Sequence, residues 1–190
     1  MITIKNNTRE ALISATVFLI STNKDATKIT SREIVAEAKT NLAMINYCFK
    51  SKEDLMNIAV QRIIASQANN FKAITNEDIT PRDQLKKMLY TLSDITVSYN
   101  YLTKISVPYI LLHDEITHPL DVLPIIKKHF GGERSETYCR IIAYQMISFM
   151  QLVFLRADDF FKYSGIDIFN AKERNDFIDM QLNLFLGDEK

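Results

Sequence analysis

The sequence predicts an all-α fold from three observations. Apolar residues recur at helical spacing almost throughout, no segment alternates strongly enough to be a half-buried strand, and the 190 residues include only 4 Gly and 4 Pro. Hydrophobic residues make up 47% and charged residues 24%, ordinary globular usage that excludes wholesale disorder. The length suits one domain, or a small one joined to a larger, at about 100–150 residues per domain. Two cysteines, Cys48 and Cys139, cannot build a disulfide framework, so a reducing compartment is expected. Lys and Arg total 23 against 23 Asp and Glu, and this neutrality alone points away from a nucleic-acid partner.

The first helix is read from the stripe Ala11, Leu12, Ala15, Phe18 and Leu19, with Asn7 or Thr8 as cap and Glu10 in its first turn. Ser21 to Asp25 ends it. A short second helix starts near Thr30 and Ser31, either of which can cap it, and its apolar side is Ile34, Val35 and Ala38. A third short helix runs from about Asn41 to Phe49. Ser51 then caps a long fourth helix, with Asp54 three residues on in place of the usual capping-box glutamate, continuing to about Asn69.

Pro81 suits the first turn of a helix from about Arg82 to Tyr99. Leu102 to His113 is apolar and contains Pro108, where a kink or break is expected. A short helix punctuated by Pro119 and Pro124 ends at Phe130, before Gly131 and Gly132. The last two helices are read as 133–157 and 171–186, with a loop at 158–170 that turns at Gly165. The most apolar stretch, Ile141 to Leu155, carries Gln145, Ser148 and Gln151 and falls short of the ~20 residues a spanning helix needs. The N-terminal residues lack the apolar core of a secretory signal. A cytoplasmic protein without a membrane partner is therefore expected.

Three short helices followed by a long one form a helix-turn-helix arrangement. The residues are more specific. Residues 29–55, and above all Ile45-Asn-Tyr-Cys-Phe-Lys-Ser-Lys-Glu-Asp-Leu55, resemble the DNA-binding signature of the tetracycline-repressor (TetR) family, Tyr-x-Phe-x-Ser/Thr-Lys-Glu-x-Leu, at every defined position. The motif covers about Thr8 to Val60. Beyond it the chain is similar to the family only in length and all-helical layout. The resemblance implies a DNA-binding domain at 1–52 and a helical effector-binding and dimerisation domain at 53–190. It also implies that Ser31, Arg32, Tyr47 and Lys52 contact backbone phosphate.

The chemistry of the residues fits that site. A third helix in the major groove would present Thr40, Asn41, Leu42, Ala43, Met44 and Asn46 near its N-terminal end. Ala43 is small enough for close approach, Met44 can press on thymine methyls, and Asn46 and Tyr47 offer hydrogen bonds. Phosphate contacts position the head, whereas Thr40, Asn41, Met44 and Asn46 are expected to read sequence. Ile34, Ile45, Phe49 and Leu55 are read as packing residues. The sequence departs from the family at Lys39, where the turn usually carries glycine. Keeping a left-handed conformation there costs about 1 kcal/mol; otherwise the turn is reshaped.

Elsewhere the chemistry is sparse. His113 and His118 are five apart, not the four of the zinc-protease helix, and Pro119 follows, so no metal is expected. No phosphate loop, nucleophile elbow or paired-cysteine motif is present, so neither an enzyme nor a cofactor is expected. The resemblance implies an effector pocket in the larger part. Tyr109, His113, Tyr144 and Gln145, with Phe149, are its candidate lining. The 133–157 and 171–186 helices are apolar on more than one stripe, which fits a homodimer joined through a four-helix interface. The expected function is a ligand-responsive regulator. It would hold a palindromic operator as a dimer and be released by a small hydrophobic effector that changes the separation of the two reading heads. Two other readings remain: a helical binding protein that keeps the fold without binding DNA, which Lys39 leaves open, and a helical enzyme using His113 and Glu115.

The zero net charge conceals an uneven distribution. Residues 1–50 hold seven Lys and Arg against four Asp and Glu, and residues 51–190 hold sixteen against nineteen. A reading head of +3 steers DNA only modestly, so specific contacts must carry much of the affinity.

Overall fold

The computed structural model describes residues 2–23, 25–67 and 79–187, with side chains at 6–23, 25–66 and 79–187. All regular structure among them is helical: α1 (Ile2–Thr22), α2 (Ser31–Glu37), α3 (Ala43–Cys48), α4 (Lys52–Gln67), α5 (Pro81–Ser98), α6 (Thr103–His113), α7 (Pro119–Phe130), α8 (Glu136–Leu155), α9 (Ala157–Ser164) and α10 (Ala171–Leu186). Single 3₁₀ turns at Ala26–Lys28 and Asn100–Leu102 precede α2 and α6. The expected end of α4 near Asn69 lies outside the described residues.

The described residues form two packed units, one drawn from 1–70 and 101–113, the other from 71–100 and 114–190. In the first, α4 packs on α1 and α6, and α1 packs on α2 and α3. Its core holds Leu12, Ile13 and Ile20 of α1, Ile34, Ile45, and Leu55, Ala59 and Val60 of α4. In the second, α7 packs on α8 and α5, and α10 on α5. Its core joins Leu85 and Leu89, Val122 and Ile126, Met146 and Val153, and Ile178 and Leu182. These packed units cut the chain elsewhere than at residue 52, because the apolar face of α4 is buried beside α1 and α6.

Several elements differ from the sequence reading. α1 begins at Ile2, a turn and a half before the expected cap, so Asn7 and Thr8 lie inside it. Its buried stripe is also rotated: Ile13, Thr16 and Ile20 face inward, whereas Phe18 is 52% exposed. Thr16 can be buried because its hydroxyl donates to the Leu12 carbonyl at 2.7 Å. Glu10 serves as a tie to α4, accepting from Arg62 at 2.8 and 3.3 Å. α6 continues through Pro108 without a break.

α8 stops at Leu155, and Arg156 (φ −113°, ψ 36°) separates it from α9, which occupies part of the expected loop. Gly165 ends α9 in the left-handed conformation at φ 76°. Tyr101, Tyr138 and Tyr144 are exposed. At 20 residues α8 is long and apolar enough to cross a membrane by composition. One face of it, including Ile142, Met146 and Val153, is committed to the core of its unit.

Candidate nucleic-acid interface

α2 starts cleanly because Thr30 and Glu33 satisfy each other's backbone. The Thr30 hydroxyl accepts from the Glu33 N–H at 3.3 Å, and the Glu33 carboxylate accepts from the Thr30 N–H at 2.7 Å. These Thr30 hydrogen bonds, and then the charge of Lys52, hold the Glu33 carboxyl below its ordinary range. Capping by Thr30 leaves Ser31 and Arg32 as the first residues of the helix.

The turn that follows is a Schellman closure. Thr40 N–H donates to the Val35 carbonyl at 2.9 Å and Lys39 N–H to the Ala36 carbonyl at 3.2 Å, with Lys39 itself at φ 52°. A lysine therefore keeps the left-handed turn that glycine would adopt without strain. The closure corrects the start of α3. Thr40 is spent on finishing α2, Asn41 and Leu42 bridge the gap, and Ala43 is the first helical residue. Along α3, Ile45 is buried, as is the following Phe49. Asn41, Leu42, Ala43, Asn46 and Tyr47 are exposed, Tyr47 to 60%. Met44 is half-buried.

Asp54 organises the loop between α3 and α4. Its N–H donates to the Ser51 hydroxyl at 3.1 Å and its carboxylate accepts from the Lys50 N–H at 3.0 Å. The carboxylate thus caps one residue before the Ser51 position of a standard box. The Tyr109 hydroxyl of α6 donates to the other Asp54 oxygen at 3.1 Å. Fixed in this way, the loop brings Lys50 and Lys52 beside α2. Thr30, Ser31, Arg32, Leu42, Asn46, Lys50, Ser51 and Lys52 line one open groove of about 670 Å³, with Ile45 at its base. Among the described residues, three cations and no carboxylate line it. That chemistry suits a polyanion: guanidinium and ammonium groups for phosphate, with an exposed short helix alongside for base edges.

Five of the ten expected DNA-contact residues line this groove. Thr40, Asn41, Ala43, Met44 and Tyr47 lie on the same turn and short helix but outside its walls. Thr30, Lys50 and Ser51 were not among the expected contacts, although the Lys50-Ser51-Lys52 run stood inside the quoted motif. The candidate effector residues fall in separate units. Tyr109 and His113 line a cleft of about 230 Å³ in the first unit. Phe149 lines an opening of about 300 Å³ with Phe160 and Tyr163 in the second, where Tyr144 and Gln145 are exposed on α8. Among the described residues no group of three His, Cys, Asp or Glu side chains gathers to hold a metal.

No protein-family model and no curated protein matches this sequence. Among solved structures the chain is similar to Thermus thermophilus FadR, described as a TetR-family transcriptional repressor in complex with lauroyl-CoA. The TM-score is 0.70 over 96% of this chain and 97% of that one, at 18% sequence identity. At that identity the likeness establishes the fold: this chain has the all-α fold of a TetR-family repressor.

Proposed function

We propose that the chain is a ligand-responsive transcriptional regulator of the TetR type, which binds duplex DNA through α2, the Lys39 turn and α3. The observation that carries this reading is the groove in which Arg32, Lys50 and Lys52 stand beside the exposed face of α3. A cationic wall next to a protruding short helix is what phosphate positioning plus major-groove readout requires. The alternative of a fold that has lost DNA binding rested on Lys39. Its left-handed turn weakens that alternative. The fold shared with a repressor also favours a regulator over a helical enzyme.

A homodimer is part of the proposal. On α8, Tyr138, Ile141, Tyr144 and Leu152 are exposed along one side, and on α10 so are Met180 and Leu184. Such faces on two neighbouring chain segments suit a four-helix contact with a second copy. Two heads would then read half-sites roughly 34–36 Å apart. A small hydrophobic effector would release the operator by favouring a dimer with another head spacing. Because the FadR structure was obtained with lauroyl-CoA, acyl thioesters are the first class to test.

The test is selection from a randomised duplex library. The expected result is enrichment of a palindrome, with Asn41→Ala changing the preferred base at one position in each half. Recovery of no duplex above background would overturn the reading. An unaltered preference in Asn41→Ala would remove Asn41 from the reading set.

A further inference from the structure

The cleft beside the DNA groove has its own chemistry. It opens between the start of α4, with Thr27 of the 3₁₀ turn that precedes α2, and the length of α6. Positions 104, 108 and 112 recur every four residues on α6, and 52 and 56 on α4. Each set therefore forms a ridge that faces the cleft. The ridges supply Met56, Pro108 and Leu112 as apolar walls, joined by Ile105, and Lys52 and Lys104 as cations. Leu112 is 74% exposed, an apolar group left at the mouth. Among the described residues Glu53 is the one carboxylate on the lining, against two ammonium groups and the His113 ring, a donor or acceptor at the same wall. The Asp54 carboxylate is not on the lining and accepts from the Tyr109 hydroxyl and the Lys50 N–H.

We infer that this cleft binds a small amphipathic monocarboxylate, its carboxylate held by Lys104 and Lys52 and its apolar body by Met56, Ile105, Pro108 and Leu112. A cleft of about 230 Å³ that is open on one side has room for a small ligand, and a medium-chain monocarboxylate such as octanoate is the probe that tests it. Lys52 lines both this cleft and the DNA groove. A carboxylate that engages Lys52 here withdraws one phosphate contact from the groove, so ligand and DNA compete for one side chain. This part of the inference rests on the DNA-binding reading, whereas binding in the cleft does not.

The experiment titrates sodium octanoate into the full chain by calorimetry, with octanol and inorganic phosphate as single-feature controls. Octanoate should bind one per chain, more tightly than either control. Shortening to hexanoate should weaken it by about tenfold or more, since each buried methylene contributes about fourfold. Lys104→Gln should weaken octanoate by about tenfold while leaving the affinity for a selected duplex unchanged. Leu112→Asn, at an exposed position, should flatten the dependence on chain length. Saturating octanoate should lower wild-type duplex affinity by about tenfold in 0.1 M salt, and the duplex should lower octanoate affinity by the same factor.

Absence of saturable octanoate binding, or wild-type binding by Lys104→Gln, would overturn the site. Binding that depends on Lys104 without any change in duplex affinity would overturn the shared role of Lys52. If the wild-type chain holds no duplex at all, the DNA reading fails, and octanoate binding that depends on Lys104 still supports the site.

Discussion

Lys39 shows how one residue can go against its local preference without changing the fold. Its φ of 52° is a conformation that a side chain bearing Cβ adopts at a cost of about 1 kcal/mol. The two Schellman hydrogen bonds and the burial of Ile34, Val35 and Ile45 on either side hold it there. Lys39→Gly should therefore raise stability by about 0.5 kcal/mol, the relief of strain being partly offset by glycine's greater freedom when unfolded. Lys39→Val should lower it by more than 1 kcal/mol, because a β-branched side chain fits that conformation poorly. Urea denaturation of the three chains measures both. At this scale the packing residues of the motif were legible: Ile34, Ile45, Phe49 and Leu55 are all buried. Thr16 was not legible, because a hydroxyl bonded back to its own helix looks polar in sequence and behaves as apolar in the core.

Elements bounded by strong caps were readable. α5 starts at Pro81 behind Thr80, and α10 occupies the expected 171–186 behind Asn170, whose side chain accepts from the Lys172 and Glu173 N–H groups. Elements bounded by tertiary contacts were not. Nothing in the sequence marks the break at Arg156, which falls inside the expected 133–157 helix and pairs at 2.9 Å with Asp159 at the start of the expected loop. α1 was misread for a similar reason: Glu10 suggests a helix start, but its partner is Arg62, 52 residues away. The hydrogen bonds from Arg62 hold the Glu10 carboxyl below its ordinary range. This tie between α1 and α4 is therefore complete above the usual carboxylate value and is lost as pH falls through the lowered one. Glu10→Gln should cost about 0.5 kcal/mol at neutral pH after solvent screening, and nothing once the wild-type carboxyl is protonated. Denaturation at pH 7 and again in strong acid checks the sign.

For the whole molecule, the zero net charge of the sequence no longer argues against DNA, because the site concentrates Arg32, Lys50 and Lys52 on one groove. Charge totals carry no spatial information, and the groove depends on a loop geometry set by Asp54. The same holds for the candidate effector residues, which share a helical composition but fall in two units. The dimer has its own test. Ile141, 53% exposed on α8, and Leu184, 70% exposed on α10, can be made aspartate without disturbing the monomer core. Sedimentation should report a dimer for the wild-type chain and a monomer of unchanged helicity for the double variant. A wild-type monomer would contradict the two-headed docking scheme. The central claim is that the α2–α3 head docks on duplex DNA through positioned phosphate contacts. It is tested most directly by the salt dependence of binding to the selected duplex, wild type against Tyr47→Phe combined with Lys52→Ala. The account predicts weaker binding to every sequence and a log–log salt slope reduced by about one, for the single cation, Lys52, that the double variant removes. An unchanged affinity and an unchanged slope would contradict it.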